Sequence, residues 1–189
     1  MLAIRMNDSY LGNINVKRDG IQQQWTEEQV VEYAKCMKDP AYFARTYVKI
    51  ISLDKGLVNF DLYPYQEKMF DHFNDNRFSI VLACRQSGKS ISSVVYLLWY
   101  AVFHPEKTIA VLANKGATAR EMLARVTLAL ENLPFFLQPG CRALNKGSIE
   151  FSNNSRIIAA ATSGSSIRGM SVNLLFLDEF AFVERAAEF

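Results

Sequence analysis

The residues of this sequence with the clearest capacity for chemistry form a short loop that matches a phosphate-binding pattern. They are Ala83, Cys84, Arg85, Gln86, Ser87, Gly88, Lys89 and Ser90. The pattern is GxxxxGK followed by Ser or Thr, with Ala83 in place of the first glycine, a substitution that a negative φ permits. Gly88 lets successive amides turn toward phosphate oxygens, Lys89 suits the β- and γ-phosphates, and the Ser90 hydroxyl suits Mg²⁺. The loop therefore predicts a site for ATP and Mg²⁺.

A second chemical element is the pair of consecutive carboxylates, Asp178 and Glu179, that follows the apolar run 174–177. A buried strand would bring both to one edge of a sheet, and its alternation would direct the two side chains to different sides. Asp178 then suits the coordination shell of Mg²⁺, while Glu179 can polarise an attacking water. An apolar run ending in two acids is a weak signal alone, but together with the phosphate loop it predicts an ATPase.

Two further pairs of residues are candidates for contacts with a nucleotide. A Gln amide can donate to and accept from the adenine edge, and a Tyr ring can stack on the base, so Tyr65 and Gln66 are the candidate adenine contacts. Both also suit an ordinary helix surface. Arg85 lies in the loop within reach of bound phosphate, and Arg168 precedes the acidic run. Their alternative interpretations are a solvated loop charge and a loop arginine that is hydrogen-bonded to its surroundings.

Placing these residues together requires alternating strands and helices, and the hydrophobic pattern indicates such an alternation. Apolar runs predict strands over residues 78–83, 108–113, 148–151, 156–161 and 174–178. Capping signals and helical periodicity predict helices over residues 26–37, 41–48, 62–74, 88–103 and 117–133. Residues 1–24 are interpreted as an irregular arm, Asn153 and Asn154 as a hairpin turn, and 162–169 as a Ser/Gly loop. Continuous apolar strands separated by helices are typical of a parallel sheet covered on both faces.

Composition limits the class of protein. The chain has 189 residues, 50% of them apolar, with a formal net charge of +2 and only nine Gly and five Pro. These values favour one globular domain and exclude collagen-like, disordered and disulfide-rich proteins. The three cysteines lack CxxC spacing, no secretory leader is recognisable, and the longest apolar run is 94–103, so a soluble protein of a reducing compartment is expected. The charge balance marks no DNA-binding face. Lys115, Arg120 and Arg125 suit contacts with DNA phosphates, but charges on a helix face are usually only solvated.

Taken together, these segments resemble the N-terminal ATPase domain of the large terminase subunit of T4-like tailed bacteriophages. The matching stretches lie within about residues 40–185 and are YPYQEKMFDHF, CRQSGKS, VLANKGATAREMLARV, LPFFLQPGCRALNKGSIEFSNNSRI, SIRGMS and LLFLDEFAFV. The resemblance implies a three-layer α/β P-loop fold with a mostly parallel sheet, of the class with an added strand and a catalytic glutamate. It also implies an N-terminal arm and helical segment, 1–60, followed by an ATPase core, 61–189.

The resemblance implies an ATP-driven motor that moves double-stranded DNA into an empty procapsid. Expected partners are the portal protein, the small terminase subunit and further copies of the chain in a ring, in the host cytoplasm and not in a membrane. By resemblance, Glu179 is the catalytic acid and Asp178 the metal-binding one. Arg85 would stabilise the γ-phosphate, and Arg168 would act within or between subunits. The family pattern continues with a coupling motif and a nuclease domain that this sequence does not contain. We therefore expect an incomplete core, lacking a strand beside the phosphate loop, that binds nucleotide, with hydrolysis by this chain alone left open.

Two other functions fit part of the pattern. A superfamily 2 helicase-like translocase shares a Gln motif, GKS and DE, although the motif here reads DEFA without a following His. A non-hydrolysing nucleotide-binding module for assembly would use the loop without turnover. A phosphate-release assay separates hydrolysis from binding alone.

Overall fold

The structure is a computed structural model that describes residues 8–52, 54–163 and 167–180. The helices are α1 (Glu27–Lys38), α2 (Pro40–Tyr47), α3 (Pro64–Asp75), α4 (Lys89–Phe103) and α5 (Gly116–Glu131). The strands are β1 (Ser9–Tyr10), β2 (Asn13–Lys17), β3 (Lys49–Ser52), β4 (Gly56–Asn59), β5 (Thr108–Ala113), β6 (Cys141–Leu144), β7 (Ser148–Phe151), β8 (Arg156–Ala161) and β9 (Leu174–Asp178). Each predicted helix is confirmed to within two residues at either end. None of the described helices combines the length and apolarity needed to cross a bilayer.

Side-chain caps explain why the first two helices begin where they do. The Thr26 hydroxyl accepts from the Gln29 amide at 3.2 Å, and the Gln29 side chain accepts from the Thr26 amide at 3.3 Å, which completes a capping box. Asp39 Oδ1 accepts from the amides of Ala41 and Tyr42 at 2.8 and 2.9 Å. Both caps satisfy amides that have no partner within the first turn of a helix, so these boundaries are local properties of the sequence.

A five-stranded mixed sheet supports the candidate site. Its strand order is β6-β7-β8-β5-β9, with β5 parallel to β8 and β9, and β7 antiparallel to β6 and β8. The expectation of a mostly parallel sheet is therefore met only from β8 to β9. The predicted hairpin of β7 and β8 is confirmed, and Asn154 in its turn has a φ of 63°, which Asn tolerates. The pairing of β5 with β9 places Ala113 opposite Asp178.

Helices α4 and α5 pack against each other and against this sheet. Val94 and Leu98 of α4 and Ile109 of β5 have no exposed surface and belong to one hydrophobic core. Burial of side chains of this size stabilises the fold by about 1.5–3 kcal/mol each. The Trp99 Nε1 donates to the Cys36 carbonyl at 2.7 Å and so connects α4 to α1. The core thereby fixes the start of α4 relative to the ends of β5 and β9.

The prediction of an irregular arm over residues 1–24 is wrong for part of the described segment. Strands β1 and β2 form an antiparallel hairpin, whose turn contains Leu11 with a φ of 45° and Gly12 with a φ of 82°. A turn with two positive φ values is a favoured hairpin turn, but Leu is an unusual residue in it, so the sequence signal is weak. The arm is held on the core because the Lys17 amide donates to Gln138 Oε1 at 2.9 Å. The β3-β4 hairpin and β6 were also not predicted, and residues 1–7 lie outside the described ranges.

The predicted strand over residues 78–83 is wrong. The segment has no strand assignment, and Phe78, Ile80 and Leu82 are 81, 95 and 99% exposed. The physical reason is the lack of a neighbour: within the described residues, β5 is already paired on both sides and no strand pairs with the outer edge of β9. An apolar sequence alone cannot form a strand, because a strand needs a ladder of hydrogen bonds to another one.

Candidate nucleotide site

The backbone of the loop of residues 83–88 includes two positive φ angles. Gly88 has a φ of 80° and Gln86 a φ of 60°. The positive φ of Gly88 disfavours any other residue there, and a Cβ would also require Gln66 to move, since it would lie 2.7 Å from Gln66 Nε2. The Ser87 hydroxyl donates to the Cys84 carbonyl at 2.9 Å and tightens the turn. Ala83 is not among the residues with positive φ, as its replacement of glycine requires.

Helix α4 begins directly after this turn and presents its amino end to the loop. Lys89 and Ser90 are its first two residues, and Gly88 caps the helix without a side-chain hydrogen bond. The first-turn amides therefore remain available to an anion, and the helix dipole adds a partial positive charge at the same place. The Ser92 and Ser93 hydroxyls donate to the carbonyls of Gly88 and Lys89, each at 3.0 Å. These two bonds satisfy buried hydroxyls without occupying any of the amides.

The acidic pair stands at the end of β9, as predicted from the sequence. Asp178 is the last residue of the strand and only 9% exposed. Burial raises the pKa of Asp178 above its ordinary value and the neighbouring Glu179 raises it further, whereas the charges of Lys89 and Arg125 act in the opposite direction. Glu179 has a φ of 51°, which is uncommon for a residue with a side chain and turns the chain at this point.

One cavity joins the acidic pair to the phosphate loop. It has a volume of about 370 Å³ and is lined by Arg85, Ala113, Asn114, Lys115, Thr118, Asp178 and Glu179. Arg85 comes from the loop, and the two acids come from the end of β9. Because β5 and β9 are parallel, their carboxyl ends meet at the same edge of the sheet, which is where ligands bind in α/β proteins. The cavity thus unites two segments that lie far apart in the sequence.

The predicted adenine contacts lie against the other side of the loop. The Tyr65 hydroxyl donates to the Ser87 carbonyl. The Tyr65 ring is stacked on Tyr63, with centroids 5.8 Å apart and planes within 9°, and both rings are exposed. Gln66 is only 2% exposed, and its Oε1 accepts from the Tyr63 amide at 2.9 Å as a cap of α3. The structure therefore gives Gln66 a structural contact and leaves the tyrosine faces open.

The remaining predicted site residues are more peripheral. Arg168 is exposed in a turn over residues 167–169 and is not among the residues that line the cavity. Residues 164–166 of the predicted Ser/Gly loop lie outside the described ranges. Cys84 is exposed, whereas Cys36 and Cys141 are buried.

Sequence reasoning did not assign Asn114 and Thr118 to the site, and it interpreted Lys115 as a solvated charge. All three line the cavity with the acids. A signal was present, because Asn114 and Lys115 follow β5 directly, just as Glu179 follows β9. Polar residues that follow parallel strands share one edge of the sheet, so their proximity follows once the two strands are known to be neighbours.

The fold is a mixed α/β fold in which a glycine-containing loop and an acidic strand end line one cavity. The family model described as terminase large subunit, T4likevirus-type, N-terminal, matches residues 80–189. The match covers more than half of the 189 residues, and the chain belongs to this family. The matched range includes both the loop and the acidic pair. The match confirms the resemblance found in the sequence and supports a role of the chain in viral DNA packaging.

Proposed function

We propose that this chain binds Mg-ATP at the loop and that its site supplies the ATPase chemistry which drives double-stranded DNA into a procapsid. The observation that carries the proposal is the shared cavity, in which Arg85 of the loop faces the same space as Asp178 and Glu179. A cation from the loop and two acids from a strand are the groups that phosphoryl transfer to water requires. The family match adds the context of DNA packaging.

The loop fits the phosphates of a nucleotide. The positive φ of Gly88 and the uncapped amino end of α4 supply amides, and Lys89 supplies a charge at the first helical position. Lys89 is also near enough to Asp178 for its charge to influence the pKa of that carboxyl. In the proposed site, Lys89 binds phosphate oxygens and holds them beside the acidic pair.

The same residues fit a magnesium ion by the chemistry of their donors. Ser90 offers a hydroxyl oxygen and Asp178 a carboxylate, the hard ligands that Mg²⁺ prefers. The described residues contain no cluster of three or more His, Cys, Asp or Glu that would hold a metal by itself. This suits Mg²⁺, which is commonly held by one or two protein groups together with substrate phosphates. When bound, the ion would neutralise charge on the phosphates.

Two arginines and one glutamate are proposed for the chemical step. Glu179 orients a water and accepts its proton, and Arg85 stabilises the charge that develops on the γ-phosphate. Arg168, exposed and outside the cavity, is proposed to act within its own subunit or on a neighbouring one. Tyr65 and Gln66 remain the proposed adenine contacts, with the exposed face of the tyrosine stack as the surface for the base.

The partners are proposed from the family. They are double-stranded DNA, the portal protein of the procapsid, the small terminase subunit and further copies of this chain in a ring. The proposed location is the host cytoplasm, at the procapsid vertex.

Phosphate release from ATP, with and without DNA, tests the catalytic part of the proposal. Glu179→Gln is expected to keep Mg-ATP binding and to lower release by about a hundredfold or more. Glu150→Gln is the matched control, because Glu150 is an exposed acid on β7 outside the cavity. Equal release by wild type and Glu179→Gln would remove Glu179 from the proposed role.

A second function, nucleotide binding without hydrolysis, is favoured by one observation. The lead-in to the loop, residues 78–83, is exposed and unpaired among the described strands, so the sheet holds the loop less firmly than it holds the acidic pair. Binding of Mg-ATP by wild type without phosphate release in either condition would establish this second function. Absence of binding would overturn both.

A further inference from the structure

A second cavity lies where the N-terminal arm meets the core. It has a volume of about 300 Å³, and its lining includes Lys17 from the arm, Trp25 just before α1 and Phe103 at the end of α4. The phosphate loop adjoins the opposite end of α4, about 22 Å away along a helix of 15 residues. The two cavities share no lining residue. This space is therefore separate from the proposed nucleotide site.

Lys17 is a buried, charged residue in the lining of this cavity. The residue is only 6% exposed, and its Nζ donates to the Phe135 carbonyl at 3.0 Å. Among the described residues no carboxylate forms an ion pair with it. An ammonium has three N–H donors, and the Phe135 carbonyl accepts from one of them, so two donors remain for a ligand. Burial lowers the pKa of Lys17 to about 8, as expected for a buried charge without a counter-ion.

Aromatic rings form much of the remaining wall. Trp25 meets Tyr33 edge to face with centroids 5.3 Å apart, and it meets Phe136 at 6.3 Å. Tyr33 meets Phe103 at 5.0 Å in the same manner. Such a cluster offers ring faces and edges to a further aromatic group, and pairs of this kind contribute beyond simple burial. A few placed polar groups in an aromatic wall are typical of small-molecule sites of this size.

The two side-chain amides of the wall are already committed to the fold. Gln138 Nε2 donates to the carbonyls of Leu133, Leu130 and Asn15 at 2.8 to 3.0 Å. Asn153 Nδ2 donates to the carbonyls of Ala101 and Val102 at 2.9 and 3.2 Å. Neither amide needs a ligand. Lys17 is accordingly the polar side chain in this wall that gains most from an anion.

We propose that this cavity binds a small aromatic carboxylate. The carboxylate accepts a charge-assisted hydrogen bond from Lys17 Nζ, and the ring packs against Trp25 and Tyr33. The proposal does not rest on the proposed nucleotide function, because the two cavities share no lining residue.

Calorimetry with benzoate as the probe tests the proposal on the wild-type chain. Benzamide has a similar shape without the charge, and cyclohexanecarboxylate has the charge without the aromatic ring. Benzoate is expected to bind about tenfold tighter than benzamide, the factor that one charged hydrogen bond supplies. Cyclohexanecarboxylate is expected to bind more weakly than benzoate. Equal affinity for benzoate and benzamide, or no binding of benzoate, would overturn the proposal without any mutation.

Two lysine variants test whether Lys17 is the residue that binds the carboxylate of benzoate. Lys17→Met removes the buried ammonium and is expected to weaken benzoate binding by about tenfold. Lys38→Met is the control, since Lys38 is exposed on α1 and does not line the cavity, and its affinity is expected to match the wild type. Folding of both variants is checked by thermal unfolding. Undiminished benzoate binding by a folded Lys17→Met variant would show that the anion binds elsewhere.

Discussion

The two sides of the candidate nucleotide site are built in different ways. The acidic side consists of β5 and β9 with Asp178 at their end, and its strands are paired residue by residue with Ile109 to Ala113 buried. The loop side consists of residues 78–90, whose lead-in is unpaired and whose apolar side chains reach 99% exposure at Leu82. Among the described residues, the loop side is attached through the start of α4, whose helix packs in the core, and through the hydrogen bond from Tyr65 to the Ser87 carbonyl.

A nucleotide site requires a loop of the right shape and a fixed distance between that loop and the acids, and the two requirements have different structural origins here. The shape of the loop depends on local residues, such as Gly88 with its positive φ, and forms without a strand before it. Its distance from the acids depends on α4 and the core. The acidic side, in contrast, depends on pairing between distant segments, so it is fixed by the tertiary fold.

Hydrogen exchange is expected to show the largest difference between the two sides. The amides of β5 are hydrogen-bonded within a buried sheet and open only when the structure unfolds, whereas those of residues 78–83 make no ladder bonds. We expect protection of β5 to exceed that of 78–83 by on the order of a thousandfold or more. Comparable protection in the two segments, measured by mass spectrometry, would show that the lead-in is paired in solution.

A matched pair of leucine truncations gives the next largest effect. Leu112→Ala in β5 removes a side chain with no exposed surface and is expected to lower the free energy of unfolding by about 2–5 kcal/mol. Leu82→Ala removes one that is 99% exposed and is expected to change it by less than about 0.5 kcal/mol. Urea unfolding measures both. A cost for Leu82→Ala close to that of Leu112→Ala would mean that the lead-in packs against the protein.

Alkylation of Cys84 reports occupancy of the loop. Cys84 is exposed and Cys36 and Cys141 are buried, so Cys84 is expected to react first with a thiol reagent. At a Mg-ATP concentration ten times its Kd, the reaction should slow by roughly tenfold if the nucleotide covers the loop. Mass spectrometry of the labelled peptides gives the rates. An unchanged rate at Cys84 under saturating nucleotide would place the nucleotide elsewhere.

The smallest expected effect is the pH dependence of stability that Glu32 contributes. Glu32 lies on α1, outside both sides of the candidate site. Glu32 accepts from Lys35 at 2.6 Å, Tyr42 at 2.7 Å and Tyr47 at 3.0 Å, and the bond from Lys35 is the main reason that its pKa falls to about 2. A lowered folded-state pKa stabilises the fold above the ordinary value of 4.5, and this contribution is lost as the pH falls from 4.5 toward about 2.

Glu32→Gln tests this pH dependence. The variant should be less stable than wild type near neutral pH, and the gap should narrow between about pH 4.5 and pH 2. Thermal unfolding across this range measures the gap. A gap that stays constant with pH would mean that Glu32 does not titrate in this way.

The sequence predicted those parts of the fold that have local causes. The capping box at Thr26 predicted the start of α1 correctly, Asp39 and Pro40 end that helix as predicted, and β5 and β9 have their predicted bounds. The failures share a non-local cause. Residues 78–83 have the composition of a strand but no neighbour, and the β1-β2 hairpin depends on an unusual Leu11-Gly12 turn and on docking to Gln138.

The candidate site shows the same division. The loop and the acidic pair, Asp178 and Glu179, were recognisable as candidates from residue types and spacing alone. The presence of Asn114 and Thr118 in the same cavity was not, because it requires knowing that β5 and β9 are neighbours. The contact of Tyr65 with the Ser87 carbonyl likewise joins segments that no sequence pattern connects.

The most direct test of the central claim is calorimetric titration of Mg-ATP into the wild-type chain and Lys89→Ala. Lys146→Ala is the control, because Lys146 is an exposed lysine between β6 and β7, away from the cavity. We predict that Lys89→Ala weakens binding by about tenfold or more, through the loss of charged hydrogen bonds to phosphate, while Lys146→Ala binds like the wild type. Equal affinity of wild type and Lys89→Ala for Mg-ATP would contradict the assignment of the loop as the nucleotide site.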